Sequence, residues 1–218
     1  MTMDPLGDPM AVVETRLAHD VHRAATSLLA QAAANRSVPL GALTQLRDFL
    51  VANIRHHHES EDGDLWPQIV AVAPSAARAL DALSQEHERL DAALDALDAV
   101  VMKEGDSGAD DEGRDALRAA AVEVRDTVHD HLAHEEPFLL PALRDHITPA
   151  AWQDFSQRVI ATTPPVGGHL MIGFLDEVGK PDEVEAMLAA LPEPVRPLLP
   201  AMRLQAAQDL RVLRGTGS

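Results

Sequence analysis

An all-α fold is what the sequence predicts: four long helices in an antiparallel up-down bundle, followed by a C-terminal helical extension. Three observations carry that reading. The apolar share of 46% is mostly Ala, Leu and Val, aromatics make up 3%, and Tyr is absent, a usage that favours helix over strand. Breaker residues divide the N-terminal part of the chain into four long segments. Within the segments, apolar residues recur at i, i+3, i+4 and i+7, the period of a helix with one buried face.

The elements follow in order. Asp8-Pro9 precedes a first helix that runs to about Asn35, and Pro39-Leu40-Gly41 opens a second that reaches about Ala73. Pro74-Ser75 begins a third, ending near Gly105. Residues 104–113 are acidic and Gly-rich and read as a loop. A fourth helix is expected from about Arg114 to Asp145. Short connections between long helices make neighbours antiparallel. After Thr148-Pro149 the helical runs shorten, interrupted at Thr163-Pro164-Pro165-Val166-Gly167-Gly168 and at Leu191-Pro192-Glu193-Pro194. The expected organisation is a tail over 1–9, the bundle over 10–146, the extension packed on it over 147–214, and a tail over 215–218.

Bulk properties narrow the function classes. A formal net charge of −17 repels phosphate backbones and anionic lipid heads, so nucleic acid and membranes are poor partners. No apolar stretch is long enough to span a bilayer. The N-terminus shows no basic segment followed by an apolar one, so a cytoplasmic location is expected. With no cysteine, disulfides, thiolate metal sites and cysteine nucleophiles are excluded.

The informative residues are polar ones on apolar stripes. In the third helix the stripe is Leu80, Leu83, His87, Leu90, Leu94, Leu97 and Val101. In the second it is Leu43, Leu46, Leu50, Ile54, His57, Glu61 and Leu65, and in the fourth Leu117, Ala121, Val124, Val128, His131, Glu135 and Leu139. Both of the latter carry His-x-x-x-Glu at the same place. Residues at i and i+4 share a helix face. A carboxylate buried there is costly unless it is paired or binds a metal, and two facing each other repel. A cation between them removes that cost. On the first helix the pattern prefers His22, flanked by Ala18, Ala25 and Leu29, and leaves His19 open. Asp91, one turn beyond His87, is either a further ligand or an acceptor that orients an imidazole. His56, His58, His129, His134 and His146 fall off the stripes and read as solvated or outer groups.

The candidate ligand set is therefore His22, His57, Glu61, His87, His131 and Glu135. Imidazole and carboxylate without thiolate suit Fe, Mn, Zn or Cu better than Ca or Mg. A closed zinc site needs four ligands; this larger set, with two carboxylates, points to two bridged metals. Pro137, inside the fourth helix just after Glu135, either ends or kinks that helix or aims Glu135.

The segments His57-His58-Glu59-Ser60-Glu61-Asp62-Gly63-Asp64-Leu65-Trp66-Pro67 and His131-Leu132-Ala133-His134-Glu135-Glu136-Pro137-Phe138-Leu139-Leu140-Pro141 resemble the two signature segments of hemerythrin-like (HHE cation-binding) proteins. Val21-His22-Arg23-Ala24 and Glu86-His87-Glu88-Arg89-Leu90-Asp91 resemble the matching parts of helices one and three. The likeness covers about residues 10–146, and the extension is similar to that of actinobacterial members. The resemblance implies an oxo- or hydroxo-bridged centre of two Fe ions, with Zn or Mn as alternatives, meeting a small diatomic or peroxide ligand: O2, nitric oxide or hydrogen peroxide. By analogy Glu61 and Glu135 bridge, His22 and His57 hold one iron, and His87 and His131 the other. The oxygen carriers of the family have a second histidine where this chain has Asp91, which argues against simple reversible O2 carriage. The alternative function is an oxygen, redox or iron sensor, or a metal buffer without turnover.

Overall fold

The computed structural model describes residues 8–102 and 107–216. Among them all regular structure is helical. Helix α1 spans Met10–Ala34 and α2 spans Leu40–Ser60. The chain then passes without a break through a π-helical turn, Glu61–Leu65, into α3, Trp66–Val72. A short 3₁₀ turn, Pro74–Ala76, leads to α4, Ala77–Asp98, and α5 covers Ser107–His146. The extension consists of α6 (Pro149–Thr162), α7 (Gly168–Val178), α8 (Pro181–Leu188) and α9 (Leu199–Leu213). Proline, harmless where the first N–H of a helix has no partner, opens α6 and α8. The Thr148 hydroxyl also caps α6 by accepting from the Ala151 N–H at 3.2 Å.

Three boundaries differ from the sequence expectation. The second segment is helical throughout, but Glu61–Leu65 winds with one extra residue per turn. The third helix stops at Asp98, so Val101, expected on its buried stripe, lies 67% exposed. The fourth begins at Ser107, within the expected 104–113 loop, of which residues 104–106 lie outside the described part. Arg114 ties this end down. Its buried guanidinium donates to the carbonyls of Asn35 (3.1 Å) and Val38 (2.8 Å) in the α1–α2 turn, the first of which also accepts from the Val38 N–H. The fourth helix also runs on through Pro137 and Pro141 to His146, so Pro137 does not end it. The tails expected at 1–9 and 215–218 fall largely outside the described residues, at 1–7 and 217–218.

Helices α1, α2, α4 and α5 touch in a closed cycle: α1 against α2 and α5, α4 against α2 and α5. The outer side of α1 is covered by α6, α7 and α9. Gly173 of α7 lies so close to α9 that a Cβ there would come within 2.6 Å of Ala206 Cβ. At Gly167, φ is +63° and a Cβ would meet the Phe49 side chain at 2.7 Å, so both the turn into α7 and its approach to α2 require glycine.

The apolar interior is in two parts. The larger holds Leu17, Val21, Leu46, Leu50, Ile54, Leu90, Leu94, Val124 and Val128 together with residues of α7 and α9. The smaller holds Ala11, Val12, Leu65, Trp66, Ile69, Leu80, Leu83, Leu139 and Leu143, closed by Trp152 and Phe155 of α6. Between them, at the same level on all four long helices, lies a layer of buried histidine and glutamate.

Candidate metal centre

Two groups of three side chains bring metal-ligating atoms within 4.8 Å of one another: His58, His87 and His131, and His19, His57 and Glu61. Glu135 lies between them, with Oε2 3.0 Å from His131 Nε2 and Oε1 3.8 Å from His19 Nε2. Glu61 also reaches both groups, through His57 Nε2 at 3.3 Å and His87 Nε2 at 3.6 Å. Around a metal with bonds of about 2.1 Å, ligand atoms stand about 3–4 Å apart, so small side-chain shifts bring each group to coordination distance.

The helices set this convergence. His57 and Glu61, and His131 and Glu135, are each one turn apart on one face. His57 and His58 are adjacent, so about 100° of helix rotation separates them and each enters a different group. The π turn begins at Glu61, whose carbonyl accepts from the Trp66 N–H five residues on. Trp66 stacks on the His87 ring, with centroids 6.2 Å apart.

Three of the imidazoles are oriented from behind by carboxylates. His19 Nδ1 is 3.0 Å from Glu136 Oε1, which also accepts from Arg23 at 2.7 Å. His87 Nδ1 is 2.9 Å from Asp62 Oδ2, while the other Asp62 oxygen accepts from the Ser84 hydroxyl at 2.5 Å. His131 Nδ1 is 3.1 Å from Glu86 Oε2, which is also near His134. Such partners fix the Nδ1–H tautomer and turn a basic Nε2 inward.

Those inward atoms have no hydrogen-bond partner. His19 Nε2, His57 Nε2, His58 Nδ1, His87 Nε2, His131 Nε2, Glu61 Oε2 and both Glu135 oxygens are buried and unsatisfied. His131 and Glu135 are close, but not aligned as a hydrogen bond. An interior seldom tolerates one such atom; eight of them gathered in one buried layer fit bound cations. The electrostatics agree. Burial, then the neighbouring Glu135 charge, pushes the Glu61 carboxyl well above the usual carboxylate range. Burial also works against Glu135, but His19 and His131 outweigh it and hold that carboxyl low. Burial and then neighbouring imidazoles hold His57 and His58 well below the ordinary histidine value, so both present neutral nitrogens.

Of the residues expected from sequence, His57, Glu61, His87, His131 and Glu135 converge, and His22 stands aside. Its Nε2 meets Asn53 Oδ1 at 2.9 Å, its ring packs edge-on against His57 at 4.8 Å, and burial followed by His19 lowers its pKa to about 4. His19 occupies the inward position instead. His58, expected off the stripe, is 3% exposed and inside the cluster. The His57-His58 doublet was the available signal, since adjacent helical residues serve two sides of a centre. Asp91 belongs to neither group, although its Oδ1 is buried without a partner. His169 binds Asp209 at 2.9 Å and Gln45 at 3.3 Å and joins neither group.

A family model, the hemerythrin HHE cation binding domain, matches residues 13–143. The match spans all the converging residues and stops short of the extension. No curated protein and no solved structure matches the chain.

Proposed function

The chain belongs to the hemerythrin HHE cation-binding family, and from that premise we propose that it is a non-haem di-iron protein that binds or reacts with O2, hydrogen peroxide or nitric oxide. In this reading His58, His87 and His131 hold one iron, His19 and His57 hold the other, and Glu61 and Glu135 lie between the two. His19 takes the place the sequence pattern gave to His22, and His58 supplies the third imidazole of its half, the one missing at Asp91. Helices α1, α2 with α3, α4 and α5 form an up-down antiparallel bundle around the centre. Supporting this, the four run alternately from one apolar cluster to the other across the polar layer.

The observation that carries the proposal is the set of buried, unpartnered nitrogens and oxygens gathered in one layer. The half with His19 and His57 has one imidazole fewer than the other, which leaves it room for a small exogenous ligand. Iron bound there supplies a Lewis acid and a source of electrons. The residues of the chain bury the layer, hold His19, His87 and His131 by their Nδ1 atoms, and keep two carboxylates beside both groups.

Metal analysis with an ultraviolet–visible spectrum, on protein made in iron-supplemented cells, tests the reading. About two irons per chain with near-ultraviolet charge-transfer absorption is the expected result; one zinc, or no metal, overturns it. Turnover of peroxide or nitric oxide by the iron form then separates reaction from sensing or storage. One contact favours a sensor as the second reading: α6, α7 and α9 pack directly on α1, the helix that carries His19.

A further inference from the structure

A second polar feature lies outside the metal centre, where the start of α1 meets the end of α5, α6 and α8. A cavity of about 630 Å³ opens there, lined by Met10, Ala11, Ile147 and Trp152 among others, and by Glu14. That volume falls in the range of small-molecule sites, and apolar walls with a few placed polar groups are their usual make-up. Glu14 is 9% exposed. Its Oε2 accepts from the Trp152 indole N–H at 2.8 Å and the Ser156 hydroxyl at 3.1 Å. No Lys, Arg or His among the described residues forms an ion pair with it, and no described residue donates to Oε1. The two guanidinium groups that also line the cavity are both exposed and turned to other partners. Arg144 pairs with Asp8 at 2.6 Å, and Arg196 donates through Nε to the Leu191 carbonyl at 2.9 Å.

A buried carboxylate with donors on one oxygen and no counter-cation is costly, so an apolar residue would serve this position better if packing were its only role. The geometry points to a binding site for a small organic ammonium compound with an apolar body, its charged nitrogen on Glu14 Oε1. The donor pattern selects the head group. A guanidinium fork needs both carboxylate oxygens free, and Oε2 is already occupied by Trp152 and Ser156; a compact ammonium needs only one. A divalent metal is disfavoured, because Glu14 belongs to neither cluster of metal-ligating side chains and brings no second hard ligand. The Trp152 indole, lining the same space, adds an aromatic surface suited to a cation. This site is independent of the metal reading.

Calorimetric titration of the full chain with 2-phenylethylamine, and separately with 3-phenylpropanoate, tests the inference in metal-free and metal-loaded protein alike. The amine is expected to bind in the millimolar range or tighter, the acid not to bind, and Glu14→Gln to weaken the amine by about tenfold, the loss of one charge-assisted contact. Glu14→Gln keeps an acceptor for Trp152 and Ser156, and its circular dichroism melt checks that it folds. A second variant, Ala186→Trp, places bulk at a lining position that is already exposed and should also block the amine. The inference is overturned if the amine fails to bind, if folded Glu14→Gln binds it unchanged, or if the acid binds more tightly than the amine.

Discussion

His19 and His22 stand three residues apart on α1, yet their Nε2 atoms have different surroundings: one is unpartnered beside Glu135, the other is held by Asn53. His19→Ala is therefore expected to lose about one of two irons per chain while His22→Ala keeps both, as read by metal analysis; the reverse result would return the ligand role to His22. His58→Ala should likewise cost about one iron, whereas His56→Ala, whose ring faces Thr162 Oγ1 at 2.9 Å, should leave the content unchanged. The stripe made His57, Glu61, His87, His131 and Glu135 legible in the sequence, because each interrupts an apolar face. It could not decide within α1, where His19 and His22 both lie on the broad buried side, opposite a narrow polar strip of Arg16, Asp20, Arg23, Ser27 and Gln31. Glu14 carries the clearest pH signature outside the metal layer. Burial raises its pKa above the ordinary 4.5, opposed by the bonds from Trp152 and Ser156. The folded state thus holds that proton more tightly than the unfolded chain. The stability linked to it is complete at pH below 4.5 and is lost as pH rises through the folded value. Glu14→Gln removes that dependence and should raise stability at neutral pH by on the order of 1 kcal/mol, with little gain in acid, as denaturant titrations at the two pH values would show.

The π turn at Glu61–Leu65 is the element that sequence periodicity could not reveal. A stripe read at i, i+3, i+4 and i+7 runs through Glu61 to Leu65 as if the helix were regular, and Asp62-Gly63-Asp64 carries no apolar marker of the extra residue. The turn places Glu61 in the centre, Asp62 behind His87, and Leu65, Trp66 and Ile69 in the smaller apolar cluster. Gly63 has open space where a Cβ would stand, so its value is not in close packing. Inserting one further residue after Gly63 overfills the turn and rotates the following residues by about 100°. Three large apolar side chains then leave their places. Each is worth about 1.5–3 kcal/mol of burial, so thermal melts should show a loss of several kcal/mol, whereas Gly63→Ala should be nearly neutral. The start of α5 departs from the sequence expectation for a related reason. Gly105, Gly108 and Gly113 signal a loop by composition, but helix from Ser107 is fastened by Arg114 to carbonyls distant in sequence, a tertiary contact that local propensity does not contain.

At the scale of the molecule, the layer of histidine and glutamate separates two apolar interiors on the same four helices. Metal that binds only the folded chain adds stability by mass action, about 4 kcal/mol when free metal is a thousandfold above the dissociation constant. Chelation should accordingly lower the melting temperature, and a metal-loaded sample with an unshifted melt would contradict the placement of the site. The split core has a further consequence. Without a cation, the two interiors are joined through a zone of uncompensated charge and empty lone pairs, a poor conductor of cooperativity. Amide hydrogen exchange of the metal-free protein should then divide each long helix into two blocks with different protection, the shorter block next to α6 opening first. Loading the metal should merge them, so that amides on either side of the layer exchange only by a common, global opening. The centre would in that case act as the seam that makes one folding unit out of two.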